Sequence, residues 1–297
     1  PFYVSKTARF VRQREHANIP ITQEELNQLR LDAQKTFLQE IQKQIHGEAF
    51  LYSTLPLKTH VNGYWVENPV GVAGKVIEIL FRFEATSRGV FDGFTDMCNR
   101  QFGHVPLRVI SIALANFYAL SAATGANESF LVVDIGGEVS EISLASEGAL
   151  VQTTSLPLGH SVFLREIAGL FDISIEDASY MIARYAERSL ETEKEKLLQP
   201  LVEEFKDTWR KKLLMVLRAY ADLHELASRV FVTGGGVLPF HKDLFSEEAF
   251  RSVLLGNVSI ETASIEMLDR HFEKQTFQGA PDFGLASVAL LGARKVV

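Results

Sequence analysis

The chain has 297 residues, of which 46% are hydrophobic and 23% charged, with a formal net charge of −7. That length suits one large or two medium domains, and a composition this close to the globular average argues against disorder. A net negative chain without a clustered basic face argues against nucleic acid as a main partner, because phosphate backbones require clustered Lys and Arg.

Arg9, Arg12 and Arg14 form a short basic group that reads as a solvated strand edge. The single cysteine, Cys98, precludes an intrachain disulfide and fits a reducing compartment. Its neighbours Phe91, Phe94 and Met97 make it a small buried hydrophobe rather than a nucleophile. No apolar run approaches the ~20 residues of a membrane span, and no signal peptide is evident. The chain begins at Pro1 without a methionine, so further N-terminal sequence is expected.

In chain order, Phe2 to Val4 and Ala8 to Val11 read as a short extended element. Thr22 with Glu25 three residues later has capping-box spacing. Leu26, Leu29, Ala33, Phe37, Ile41 and Ile45 then follow at helical intervals, and Gly47 is the expected stop. Strands are expected over Ala49–Leu57, Tyr64–Val66 and Val76–Phe83, the last with one wet face, and Asn62-Gly63 supplies a type I′ turn. A helix over 89–102 follows. A strand over Val109–Ile112 then leads into a helix through Asn116 and Phe117.

The pattern changes near Gly125. Phe130–Asp134, Glu141–Ala145 and Leu150–Leu156 read as a three-stranded meander, followed by helices over 161–171 and 175–190. Pro200 suits the first position of a long helix whose stripe is Leu201, Phe205, Trp209, Leu213, Leu217, Tyr220 and Leu223. Val230–Thr233 is a short strand, and 284–292 a small-residue helix.

Two segments carry chemistry. In Asp134-Ile-Gly136-Gly137-Glu138-Val139-Ser140-Glu141 a strand ends on an acid and then glycines. Glycines let backbone amides approach phosphate oxygens, and the acid can hold a metal-bound water. In Val230-Phe-Val-Thr-Gly234-Gly235-Gly236-Val-Leu-Pro239 three glycines after a strand offer a flat backbone platform for a purine ring. Either segment alone serves equally well as an ordinary tight turn. The histidines show no zinc-ligand spacing, and no nucleophile-elbow pattern is found.

Taken in series, the Asp-x-Gly-Gly hairpin, the meander, the Leu156-Pro-Leu-Gly159 turn into a helix, the helical stretch and the strand-Thr-Gly-Gly-Gly segment resemble the second domain of the actin, chaperone and sugar-kinase superfamily. More narrowly the chain resembles FtsA and PilM, whose motifs read D-I-G-G-G-T-T-D and L-T-G-G-G-x-x-L-P. Leu55-Pro56, Val61-Asn62-Gly63 and Asn68-Pro69-Val70-Gly71 resemble steps of the FtsA-specific subdomain, Leu114-Ala115-Asn116 its first connecting motif, and 281–292 its closing helix.

The resemblance implies an α/β, actin-like (ribonuclease H-like) ATPase fold with an inserted FtsA-type α+β subdomain. It places a remnant of the first actin-like domain and the inserted partner-binding subdomain in 1–108, and a connecting segment in 109–127. The second domain falls in 128–297, with a helical subdomain over about 172–228. It implies a nucleotide site at Asp134, Gly136, Gly137, Gly234, Gly235 and Gly236, with Asp134 toward the metal of ATP with Mg2+. It further implies a cytoplasmic scaffold held to the inner membrane through a membrane-anchored division or pilus-assembly partner, and leaves self-association open.

The chain departs from the pattern at several positions. Glu138 and Val139 replace a glycine and a threonine of the phosphate hairpin, and a carboxylate there repels a nucleotide's phosphates. Ile112 and Ala113 stand where hydrolysing relatives carry an acid or amide. Ser179 and Ile182 replace the glutamate and lysine of A-E-x-x-K, and the N-terminal D-x-G-T is absent from this sequence. These departures imply weak or no ATPase activity; the alternative is an active ATPase or kinase of the same superfamily.

Overall fold

The structure is a computed structural model that describes residues 3–104, 106–238, 241, 248–254, 257–272, 277 and 279–293. The expected start at Phe2, Pro239 and the terminal 294–297 run lie outside the described residues. The chain divides into two compact units that part between Ser111 and Ile112.

The first unit is built on a four-stranded antiparallel sheet of order β1-β4-β2-β3, formed by β1 (Tyr3–Gln13), β2 (Ala49–Val61), β3 (Tyr64–Trp65) and β4 (Val76–Ser87). The first strand is one continuous 11-residue element and lies at the sheet edge. The arginines in and just after this strand are ion-paired rather than merely solvated: Arg9 with Glu78, Arg12 with Asp32 and Arg14 with Glu25. Helix α1 (Gln23–Ile41) starts where Thr22 Oγ1 accepts the Glu25 amide at 3.1 Å. The Glu25 carboxylate takes Arg14 Nε at 2.8 Å. The helix ends at Ile41, six residues short of the expected Gly47 stop, and Ile45 is buried in the turn that follows.

Asn62 and Gly63 both have positive φ (53° and 85°), the backbone a type I′ turn requires. The central strand β4 has no wet face over its second half, where Phe81, Arg82, Phe83, Glu84 and Ala85 are all buried. Phe37 of α1 stacks on Phe83 at 4.8 Å on one side. On the other side Arg82 and Glu84 are fully buried together, and the Glu84 carboxylate accepts both the amide (3.0 Å) and the hydroxyl of Ser111. That bond explains why 109–112 is not the expected strand: the amide that would join a ladder is held by a side chain instead. Helix α2 (Arg88–Phe102), capped by Ser87, carries the buried Cys98.

The second unit contains a five-stranded sheet of order β7-β6-β5-β8-β9, formed by β5 (Phe130–Ile135), β6 (Ser140–Ser146), β7 (Ala149–Leu156), β8 (Arg229–Thr233) and β9 (Ser259–Thr262). The meander β5-β6-β7 is antiparallel, while β5, β8 and β9 run parallel. Its helices are α3 (Ile112–Thr124), α4 (His160–Phe171), α5 (Ile175–Ala186), α6 (Thr192–Ala221), the short α7 (Glu248–Arg251) and α8 (Phe283–Ala293). Pro200 lies inside α6, not at its start. A proline there forfeits one intrahelical hydrogen bond, and the buried Leu198 and Val202 on either side hold the segment against the core. Leu223 lies beyond the helix end and is exposed.

Strand alternation sorts the sheet into two faces. Leu131, Val133 and Ile135 join Ile142, Leu144, Val230 and Val232 in one core with Phe163, Phe205 and Trp209 of α4 and α6. The other face carries Phe130 and Phe231, packed on each other at 5.6 Å, and Phe130 meets Phe117 of α3 at 6.3 Å. Helix α3 also packs against α8.

Candidate functional site

By the same alternation Asp134, at the end of β5, points to the α3 side with Phe130. Its register partners are Glu141 on β6 and Thr233 on β8, so both stand on that face beside it. From α3, Asn116 is buried and its Nδ2 donates to Asp134 Oδ2 at 3.0 Å. Ser155 Oγ donates to Glu141 Oε1 at 3.1 Å. Burial foremost, and the charge of Glu141 second, raise the Asp134 carboxyl to about 6, with the Asn116 bond acting in the opposite direction.

Beyond Asp134 the chain turns through Gly136-Gly137-Glu138-Val139, closed by the Gly136 amide donating to the Val139 carbonyl at 3.0 Å. The first amides of α4 fasten this hairpin, His160 N donating to Gly136 O (2.9 Å) and Ser161 N to Gly137 O (2.7 Å). Glu138 projects outward and forms a bidentate pair with Arg165 of α4, at 2.7 and 2.8 Å. The guanidinium holds the Glu138 carboxyl below its ordinary range.

The glycine run after β8 docks on this hairpin. Gly236 N donates to Ile135 O at 2.8 Å. A Cβ at Gly236 would come within 2.7 Å of Gly136 O, and one at Gly234 (φ 100°) within 2.4 Å of Ile135 O and 2.5 Å of Asp134 Oδ1. Both positions require glycine for backbone-to-backbone packing. Gly235 alone of the three has nothing within 4 Å and faces open space. The structure thus brings all six expected residues, Asp134, Gly136, Gly137, Gly234, Gly235 and Gly236, into one cluster.

His160 lies against Gly236, is half-buried and titrates below its ordinary value because of that burial. His241 is lowered to about 3, first by burial and then by His160, while Leu238 N donates to its Nδ1 at 2.9 Å. Of the other expected positions, Ile182 is buried in the core and Ser179 is exposed. Ile112 and Ala113 carry no amide; Asn116, one turn later and part of the connecting motif quoted above, is the amide that stands beside Asp134.

No protein-family model matches the chain. It is 24% identical over 221 residues, 73% of its own length, to the cell division protein FtsA of Neisseria meningitidis serogroup B, and spans about half (51%) of that curated relative. Among solved structures it is similar to a chain of the PilM-PilN type IV pilus biogenesis complex, with TM-score 0.64 and 18% identity over 98% of this chain and 77% of that one. MreB 5 of Spiroplasma citri bound to AMPPNP matches at TM-score 0.42 and 12% identity over 70% of this chain and 65% of that one. Among the described residues no helix is long and apolar enough to cross a membrane. The chain has the mixed α/β actin-like ATPase fold, in the form found in PilM, and is distantly similar in sequence to FtsA.

Proposed function

We propose that the chain acts as a scaffold of the FtsA and PilM kind, binding a segment of a membrane-anchored division or pilus-assembly protein at the cytoplasmic face of the inner membrane. Its cluster at Asp134, Gly136, Gly137, Gly234, Gly235 and Gly236 takes ATP with Mg2+ weakly and turns it over slowly or not at all. The observation that carries this reading is Glu138. It sets a carboxylate at the rim of the phosphate hairpin, paired with Arg165 of α4. The amides of the first two residues of α4 are spent on hairpin carbonyls, which removes donors that could meet an anion there.

Support for a partner surface comes from the first unit. Tyr64 and Trp65 are 78% and 62% exposed. Trp65 borders a groove of about 290 Å³ lined by Leu26, Arg30, Pro56, Lys58 and Pro69. An exposed aromatic over an apolar groove flanked by cations suits an extended peptide.

An active ATPase is the second reading, favoured by Asn116, whose amide is held against Asp134 in a geometry that could orient a water. Calorimetric titration with MgATP and a phosphate-release assay separate the two. The scaffold reading expects a Kd weaker than roughly 1 mM and release at background. A micromolar Kd with steady turnover overturns it in favour of the ATPase.

A further inference from the structure

The sheet of the first unit has two unlike faces. Along β4, Ile77, Ile79, Phe81 and Phe83 are buried in the core under α1, while Glu78, Leu80, Arg82 and Glu84 alternate with them on the opposite side. That opposite side is covered over only part of its length. Arg82 and Glu84 are fully buried, and at the same end Phe91 of α2 packs on Phe50 of β2 at 4.4 Å. The part around Glu78 and Leu80 is open.

Strand register lays out what the open part displays. One row across the sheet runs Val11, Glu78, His60, Trp65, and the next runs Arg9, Leu80, Lys58. Val11 and Trp65 are 52% and 62% exposed, and the Arg9 side chain 65%. Trp65 stands on the edge strand, so it borders this face as well as the groove. Arg9, Lys58 and His60 thus surround a single acid. Glu78 is already engaged, with Arg9 at 2.5 Å and His60 Nδ1 at 4.0 Å. The same bias holds for the whole unit. Residues 1–111 carry 13 Lys and Arg against 11 Asp and Glu, a net +2, whereas 112–297 carry 17 against 26, a net −9.

We propose that this open part of the sheet binds an acidic, extended segment of a partner protein, with apolar side chains over Leu80 and Val11 and carboxylates against Arg9, Lys58 and His60. The inference rests on the scaffold reading and adds to it the face used and the charge of the segment bound. An exposed tryptophan at the rim of a mixed apolar and basic face supplies an anchor, and the basic groups select the charge of what reaches it. A basic segment would meet like charge there. A second copy paired face to face would set the basic excess against itself, because a two-fold interface uses the same patch on both sides.

The test is fluorescence anisotropy of a short labelled peptide alternating Glu and Leu, titrated with the full chain beside versions in which Gln or Lys replaces every Glu. The Glu peptide is expected to bind roughly tenfold tighter than the Gln peptide, with a difference that shrinks at high salt, and the Lys peptide to show no binding. Lys58→Glu should weaken binding of the Glu peptide roughly tenfold, whereas Arg30→Glu, in the groove beside α1, should leave it within about twofold. Should Lys58→Glu fail to fold, Arg9→Gln carries the comparison, since it removes a cation and releases Glu78 to repel the peptide. Equal affinity for the Glu and Gln peptides, or unchanged binding by these variants, overturns the proposal. So does sedimentation in which the chain self-associates and Lys58→Glu abolishes the association. Capture of a membrane-protein tail that survives Lys58→Glu removes this inference and keeps the scaffold reading. No tail capture by wild type, with the Glu peptide still bound, does the reverse.

Discussion

At Asp134 the fold holds a carboxyl at about 6 that titrates near 3.8 when unperturbed. An acid whose folded pKa is raised stabilises most below the unfolded value, and that contribution is lost as pH rises through the folded one. Near pH 7.5 the group therefore costs about 2 to 3 kcal/mol. Asp134→Asn keeps the shape and the Asn116 bond without the charge. In EDTA at pH 7.5 it is expected to melt roughly 5 °C higher than wild type, the difference vanishing near pH 4; equal melting at both pH values would show that the acid is not strained. Glu138→Gly removes the carboxylate and frees Arg165 together, and about tenfold tighter MgATP binding is expected. Arg165→Ala in that background should reverse part of the gain. The acid and the glycines were legible in sequence because they sit in two short contiguous runs, 134–137 and 234–236. Asn116 and Thr233 appeared in sequence only as members of the connecting motif and the glycine-rich segment, since their place beside Asp134 depends on helix packing and strand register that no local pattern states.

Whole elements divide along the same line. The Thr22 cap, the Asn62-Gly63 turn and the meander were readable because their signals are short-range: a cap bond three residues away, two positive φ values, a period of two. The strand expected at 109–112 fails because a carboxylate 27 residues upstream claims the Ser111 amide. The edge strand β9, Ser259–Thr262, is short and polar and acquires its form only by pairing with β8. The glycine run shows element docking most clearly. Gly236→Ala would force a methyl against the hairpin backbone and is expected to cost about 1 to 3 kcal/mol. Gly235→Ala meets nothing and should leave melting within about 1 °C, since substitutions away from packed features have small effects. Equal losses at the two positions would contradict the docking geometry.

For the whole molecule, each unit has its own apolar core, one under α1 and the other between the five-stranded sheet and α4 to α6. On the proposed scaffold reading, partner binding through the first unit persists while the glycine cluster of the second responds weakly to nucleotide. Trp65→Ala is expected to weaken capture of a membrane-protein tail at least tenfold, as loss of an aromatic anchor does, with melting unchanged because the side chain is exposed. The most direct measurement is the affinity of the chain for such a tail peptide, titrated with and without MgATP at millimolar concentration. The scaffold account expects the two Kd values to agree within about threefold, a difference under 1 kcal/mol. A tail that binds only with MgATP present, or whose Kd changes tenfold or more, would contradict it.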